Sequence, residues 1–298
     1  MRTSMTTIRI ATRSSLQART QAEAVGALLT SARAGVVVEY VFVDTQGDLN
    51  ATTPLHLMGG QGVFVKEVQR AVLENRADVA VHSAKDLPSQ DADGLFIGAI
   101  GERRTANDAL IGKRLEELAV GATIATGSVR RRAQLMRIRP DLQFVDLRGN
   151  IQTRLSKIPD GGAIVMAVAA LEILGMTSHV AEVLDLDVAV PMVGQGSVAV
   201  EARTDDADTR AILALIDHAA SRRAVETERA FLAELGAGCS LPVGAHLSND
   251  GVFRAFMAND DFSDSVQIVG SIGDSDDNRV VGITAAIECR SRLAKPRS

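Results

Sequence analysis

Tryptophan is absent from this chain, tyrosine occurs once, and aromatic residues together make up only 3% of it. A surface that grips single-stranded nucleic acid by stacking bases on rings has little to be built from here. Cysteine occurs twice, at Cys239 and Cys289, with no CxxC pair. That spacing argues against a disulfide framework and against a zinc site. No apolar run reaches the length of a membrane span, and no secretory signal precedes the first strand-like segment, so the expectation is a reduced, cytoplasmic protein. Gly59-Gly60-Gln61-Gly62 lacks the G-x-x-x-x-G-K-[ST] spacing of a phosphate loop, which removes nucleotide binding of that kind. There is no internal repeat and no low-complexity tract.

What is present is Ala, Val, Ile and Leu in quantity. Hydrophobic residues make up 46% of 298 residues and charged residues 23%, the profile of a globular α/β chain of two or three domains. The net charge is −5, but it is unevenly spread. Between Thr126 and Lys157 eight Lys/Arg face two Asp. An acidic protein that concentrates cations in one segment is suited to a small anion.

Taken in order, residues 8–11 read as a strand, 12–15 as a capping turn, and the next stretch to about Thr30 as a helix. Val36–Val43 is a β-branched strand, and 47–62 a glycine-rich loop. Phe64, Val65, Val68, Ala71 and Val72 share one helical face, and 78–82 is a short buried strand. Such strand–helix alternation predicts a mostly parallel sheet, with ligands at the carboxyl ends of its strands. A second α/β unit follows: strand 122–125, helix 129–139, strand 143–147, helix 149–157, strand 163–168 and helix 169–175. Residues 188–200 read as a crossing back, and a helix over 206–219 as packing on the first unit. The tail is α+β: a helix to Leu235, strands at 241–247, Val252–Ala258 and 265–272, and a last helix from about Asp277. The domains expected are 1–102 plus 195–219, then 103–194, then 220–298.

The chemistry concentrates at strand ends. In Thr126-Gly-Ser-Val-Arg-Arg-Arg132 a strand ends, Ser128 can cap a helix, and three arginines occupy its first turn. The helix dipole disfavours cations there by roughly 0.3–1 kcal/mol each, so a bound anion makes better sense of them. Arg148-Gly-Asn-Ile-Gln-Thr-Arg154 repeats the device, and Thr12-Arg-Ser-Ser15 is a weaker third instance. The bland alternative is a solvated basic surface. Ser83-Ala-Lys-Asp-Leu-Pro88 leaves a strand end with Lys85 and Asp86. Asp86 is either a capping aspartate or a general acid/base, or a partner for a cationic intermediate. His82 reads as structural. Gly236-Ala-Gly-Cys-Ser-Leu-Pro-Val-Gly244 places Cys239 between glycines that let a bulky group approach the backbone, although a lone thiol is more often a small buried hydrophobe than a reactive group.

These segments, with Gln21, Val63-Phe-Val-Lys-Glu67, Val81-His-Ser83 and Val193-Gly-Gln-Gly196, occur in an order that resembles the porphobilinogen deaminase (hydroxymethylbilane synthase) family along nearly the whole chain. The resemblance implies two doubly wound domains, like those of periplasmic binding proteins, joined by two crossing segments, plus a small α+β domain that carries the cofactor cysteine. It implies a transferase of haem and porphyrin biosynthesis. Four porphobilinogen molecules are condensed head to tail into hydroxymethylbilane, and ammonia is released. The primer is a dipyrromethane in thioether linkage to the residue matching Cys239. By the same match Asp86 is catalytic, holding pyrrole nitrogens and stabilising the cationic azafulvene. Ser83, Lys85, Ser128, Arg130, Arg131, Arg148 and Gly149 fall on cofactor-binding positions. Arg13, Ser15, Phe64, Arg154 and Gln195 fall on substrate-binding ones. Arginine suits the task, since each pyrrole brings two carboxylates and a guanidinium grips a carboxylate with two hydrogen bonds. No metal and no nucleic acid are expected, and the chain is expected to be a monomer.

The chain departs from the family pattern in places. The leucine of Ser15-Leu-Gln-Ala18 is moved by one position, Gln61 stands where lysine is common, and Ile173 stands for an arginine. Gly127 replaces a frequent serine and Ala84 a larger apolar residue. A divergent member of low activity is therefore the runner-up. A two-domain anion-binding protein without chemistry is the alternative of a different class.

Overall fold

The computed structural model describes residues 5–45, 62, 64–236, 241–273 and 275–294. The described residues up to Arg104 form one compact unit together with Ser197–Arg223; Thr105–Gly196 and the described residues from Ala224 onward form the other.

The first unit is built on a five-stranded sheet. Strand β1 (Thr6–Arg13) lies between β2 (Val36–Val43) and β3 (Val79–Ser83), parallel to both. Outside β3 come β10 (Val198–Arg203) and β4 (Leu95–Ile100), giving the order β2-β1-β3-β10-β4. Ser15 caps helix α1 (Leu16–Ala32), its side chain accepting from the Ala18 N–H. On one sheet face Val25 and Leu29 of α1, with Ile212 and Leu213 of α6 (Ala207–Leu213), cover Ile8, Ile10, Val79, Val81 and Val200. On the other face, Val68, Ala71 and Val72 of α2 (Lys66–Leu73) cover Ala11 and Ala80. With helices on both faces, the unit is doubly wound.

The second unit repeats the plan. Its sheet runs β7-β6-β8-β5-β9, from β7 (Gln143–Val145), β6 (Thr123–Ala125), β8 (Ala163–Ala167), β5 (Asp108–Gly112) and β9 (Glu182–Val183). Leu135 of α3 (Val129–Ile138) packs on Leu110, Ile124 and Val165. Ile151 of α4 (Ile151–Leu155), with Ala170 and Leu171 of α5 (Val168–Glu172), covers Ile111, Ile164 and Met166 on the other face. The chain thus passes between the two sheets twice, from β4 to β5 and from β9 to β10.

The same unit holds an antiparallel sheet of β11 (Val243–Leu247), β12 (Val252–Ala258) and β13 (Ser265–Ser271). Helices α7 (Ala219–Glu234) and α8 (Asn278–Leu293) close it, Phe231 meeting Phe253 edge to face at 6.5 Å. Phe256, Ala258 and Phe262 pack in one cluster with Ala133 of α3 and Val190. The tail sheet therefore braces the arginine-bearing helix.

Two expectations need correction. The large sheets are mixed, not mostly parallel, because β10 runs antiparallel to β3 and β4, and β5 to β8 and β9. Strands β4, β5 and β9 carry no alternation that marks them, and β9 is only two residues long. The helix expected over 206–219 ends at Leu213, and the tail helix already begins at Ala219.

Candidate functional site

Parallel pairing puts the ends of β1 and β3 on one edge of the first sheet, since Ala11 pairs with Ala80. Arg13 ends β1, Ser15 caps the helix that follows, and the Arg13 guanidinium carbon lies 4.2 Å over the Phe64 ring. The contact joins two residues that sequence reasoning had assigned separately to substrate binding. At the end of β3, Ser83 Oγ accepts from Gln21 Nε2 at 3.0 Å. The chain then turns through a 3₁₀ segment, Ala84–Asp86. Ala84 is buried and its N–H donates to the Ser197 carbonyl at 2.9 Å, so the small residue here is a core position. Lys85 and Asp86 are half-buried, and among the described residues nothing pairs with the Asp86 carboxylate. A carboxyl group left without a described partner at a strand end is available for a ligand N–H. His82 is structural as expected: it is buried, with Nε2 3.0 Å from Glu201 Oε2.

In the second unit, β6 ends at Ala125 and Ser128 caps α3, its Oγ accepting from the Arg131 N–H at 3.4 Å. Arg130 and Arg131 then turn inward and are buried. Both meet Asp108, a fully buried residue that sequence reasoning missed. Asp108 Oδ1 accepts from Arg131 Nη2 at 2.6 Å and from Gln195 Nε2 at 2.8 Å; Oδ2 lies 2.8 Å from Arg130 Nη2. The topology explains the meeting. Asp108 begins β5, which runs antiparallel to β8 and pairs Asp108 with Ala167, so it lies at the edge where the parallel strands end. Burial works to raise the pKa of this carboxyl, but the two guanidinium charges, with hydrogen bonds from Arg131 and Gln195, outweigh it and hold it below the ordinary range. The sequence signal was a single aspartate before an apolar run, too common to single out.

Residues after β7 complete this edge. Gly149 has φ 117°, open to glycine, and a Cβ there would lie 2.7 Å from the Thr153 side chain. Arg154 Nε donates to the Gly149 carbonyl at 2.8 Å, tying the two ends of the motif together. Arg148 is half-buried, and desolvation lowers its pKa against the pull of Asp146. At Gly127 an added Cβ would meet the Leu147 carbonyl at 2.9 Å, which accounts for glycine where serine is frequent. Nothing in the structure explains Ile173, half-buried at the end of α5.

Cys239 and its neighbours 237–240 lie outside the described residues, as do Gln61 and most of the 47–62 loop. The strand that follows the cysteine loop is described. A Cβ on Gly244 would stand 2.7 Å from both the Val190 and Pro191 carbonyls and 3.1 Å from Arg130 Cδ. Val190 O in turn accepts from Arg130 Nη1 at 2.6 Å. Gly244 of β11 is thus seated against Arg130. Glu228 of α7 fastens the strand further, accepting from Gly194 N–H at 2.7 Å and Leu247 N–H at 2.9 Å. Cys289 is buried, and burial pushes its thiol up to about 12. Among the described residues no group of three or more His, Cys, Asp or Glu side chains could hold a metal ion. The donors gathered here are cationic, and the Nε atoms of Arg130 and Arg131 are buried without a hydrogen-bond partner among the described residues. A carboxylate-bearing group fits that set.

Residues 8–211 match the family described as porphobilinogen deaminase, dipyromethane cofactor binding domain, and residues 222–291 match the porphobilinogen deaminase C-terminal domain. A porphobilinogen deaminase of Nitratidesulfovibrio vulgaris (strain DP4) is 43% identical over 278 residues, covering 91% of this chain and 85% of the relative. That of strain DSM 19637 / Miyazaki F is 43% identical over 251 residues, covering 82% and 79%. Among solved structures, the methionine binding protein MetQ aligns with a TM-score of 0.44 at 14% identity, over 70% of this chain and 88% of that one.

Proposed function

Since this chain belongs to the porphobilinogen deaminase family, we propose that Asp86 is its catalytic carboxylate and Cys239 the attachment point of its cofactor. The activity is the family's: a transferase that condenses four porphobilinogen molecules head to tail into hydroxymethylbilane, with release of ammonia, in tetrapyrrole biosynthesis. Its cofactor is dipyrromethane, which supplies the primer pyrroles to which substrate is added.

The Asp86 carboxylate, unpaired among the described residues, carries the mechanistic reading. It accepts the pyrrole N–H, opposes the positive charge that develops on the ring as ammonia leaves, and takes up the proton lost when the new carbon–carbon bond forms. Lys85 beside it, and Arg13 against Phe64, receive acetate or propionate carboxylates. Ser83 and Ser128 add hydroxyl donors. Arg130, Arg131, Arg148 and Arg154 receive further carboxylates; Gln195 supports them from Asp108. Gly149 lets the backbone turn close to them. Arginine holds each carboxylate by charge-assisted hydrogen bonds, which orients a ring without consuming a proton. Cys239 anchors the primer and takes no part in turnover.

We also assign three domains, 1–102 plus 195–219, 103–194 and 220–298, and a monomer acting in the cytoplasm without nucleic acid. No described helix is long and apolar enough to cross a membrane.

Asp86→Asn tests the reading. It keeps the size of the side chain and removes its charge. The purified variant is expected to carry the two-pyrrole adduct, read by intact mass, while turnover falls by a factor of about 10²–10⁴. Unchanged turnover would remove Asp86 from the chemistry.

A further inference from the structure

Resting on the reading that Arg130 and Arg131 receive pyrrole carboxylates, we propose that Asp108 is a positioning residue: one buried carboxylate that sets both guanidinium groups side by side and leaves their Nε–H donors for an incoming anion. The contacts divide in that way. Each arginine sets an Nη2 against Asp108, as an ion pair at 2.8 Å for Arg130 and a hydrogen bond at 2.6 Å for Arg131. Each gives its Nη1 to a main-chain carbonyl, Val190 at 2.6 Å and Val165 at 3.0 Å. Both Nε atoms remain, buried and, among the described residues, without a hydrogen-bond partner. Buried donors are seldom left in that state, and a ligand oxygen satisfies them.

The charges point the same way. Two cations against one anion leave the cluster with one unbalanced positive charge in a buried place, and an anionic ligand neutralises it. Without Asp108, the two guanidinium groups would be an uncompensated pair of like charges, and one would turn out toward water. Asp108 is not a proton donor in this scheme, because the arginines keep it ionised. Gln195 Nε2 bridges Asp108 Oδ1 at 2.8 Å and the Ala106 carbonyl at 2.7 Å, and so fixes the carboxylate in turn.

The test is a double-mutant cycle on the full chain, produced in a host that makes porphobilinogen. Asp108→Asn, Arg131→Gln and the double variant are compared for adduct fraction by intact mass, for KM and kcat, and for melting temperature. Asp108→Asn is expected to lower the adduct fraction and raise KM by about tenfold, and to change KM less than about twofold when Arg131 is already Gln. Equal effects in both backgrounds, or a lower melting temperature with adduct fraction and KM unchanged, would overturn the proposal. If Arg131→Gln itself leaves adduct and KM normal, the carboxylate-binding reading of Arg131 falls and the proposal falls with it. A damaging Arg131→Gln beside a silent Asp108→Asn overturns the proposal alone. Should Asp108→Asn not fold, Asp108→Glu keeps the charge and moves it by one methylene; a raised KM is then expected, and an unchanged KM contradicts the role.

Discussion

His82 Nε2 lies 3.0 Å from Glu201 Oε2, with both side chains buried one residue before the Ser83–Asp86 turn begins. Gln69 Nε2 reaches the same carboxylate at 3.0 Å from α2. Three elements of the first sheet unit are therefore pinned directly beneath the Asp86 turn. Replacing Glu201 with Leu removes the acceptor of Gln69 and the carboxylate beside His82, and strands two buried polar groups, at about 1–3 kcal/mol each. Guanidinium unfolding should show a clearly lower midpoint; an unchanged midpoint would contradict the pinning.

Gly244 and Gly236 make a matched pair. A side chain at Gly244 runs into the Val190 and Pro191 carbonyls and Arg130, whereas at Gly236 nothing among the described residues lies within 4 Å and the φ of 61° resists. Gly244→Val should cost about 1–3 kcal/mol by overpacking and reduce the adduct fraction. Gly236→Ala should cost about 1–2 kcal/mol from backbone strain alone and leave the adduct fraction intact. Equal adduct fractions in the two variants would argue that Arg130 is insensitive to the strand after the cysteine loop.

Thiol counting separates the two cysteines. Cys289 is buried, with its thiol pushed up to about 12, so it holds almost no thiolate at pH 8. The folded chain carrying its cofactor should give no fast-reacting thiol with a disulfide reagent, and one after denaturation. Two thiols in the denatured, cofactor-loaded chain would contradict attachment at Cys239.

Acid should destabilise the protein in a defined direction. Burial works to raise the pKa of Asp108, as it does that of Asp78. In Asp108 the arginine charges win, and in Asp78 the hydrogen bonds and charge of Arg9 win, so both sit below their ordinary value. A carboxyl with a depressed folded pKa stabilises the fold above its unfolded pKa of about 3.9, and that contribution is lost as pH falls through the folded value. The melting temperature should hold from pH 7 to about pH 5 and drop steeply below about pH 4 as the unfolded carboxyls take up protons. Asp108→Asn should flatten that acid limb; an identical limb would mean that Asp108 is not held ionised by its arginines.

Much of the architecture was legible where side chains alternate or cap. Val36–Val43 and Val252–Ala258 were bounded from their β-branched and aromatic content, and the helix start after Ser128 from its hydroxyl. The continuous apolar runs of β4 and β5 carry no period, so they were not recognised, and with them the antiparallel half of each large sheet. The ordered motifs placed Asp86, Cys239 and the arginines in one family. Spacing alone could not show that Arg130 and Arg131 turn inward onto a carboxylate from a strand more than twenty residues earlier. Asp108 is visible only once β5 is paired antiparallel to β8, which brings its first residue to the edge where the parallel strands end.

Covalent priming at Cys239 is tested most directly by intact mass, comparing the wild-type chain with Cys239→Ser, both purified from cells that make porphobilinogen. The expected result is a two-pyrrole increment on the wild type that gives colour with Ehrlich's reagent after denaturation, and the bare chain mass for Cys239→Ser. A wild-type chain of bare mass, or the same increment on Cys239→Ser, would contradict it.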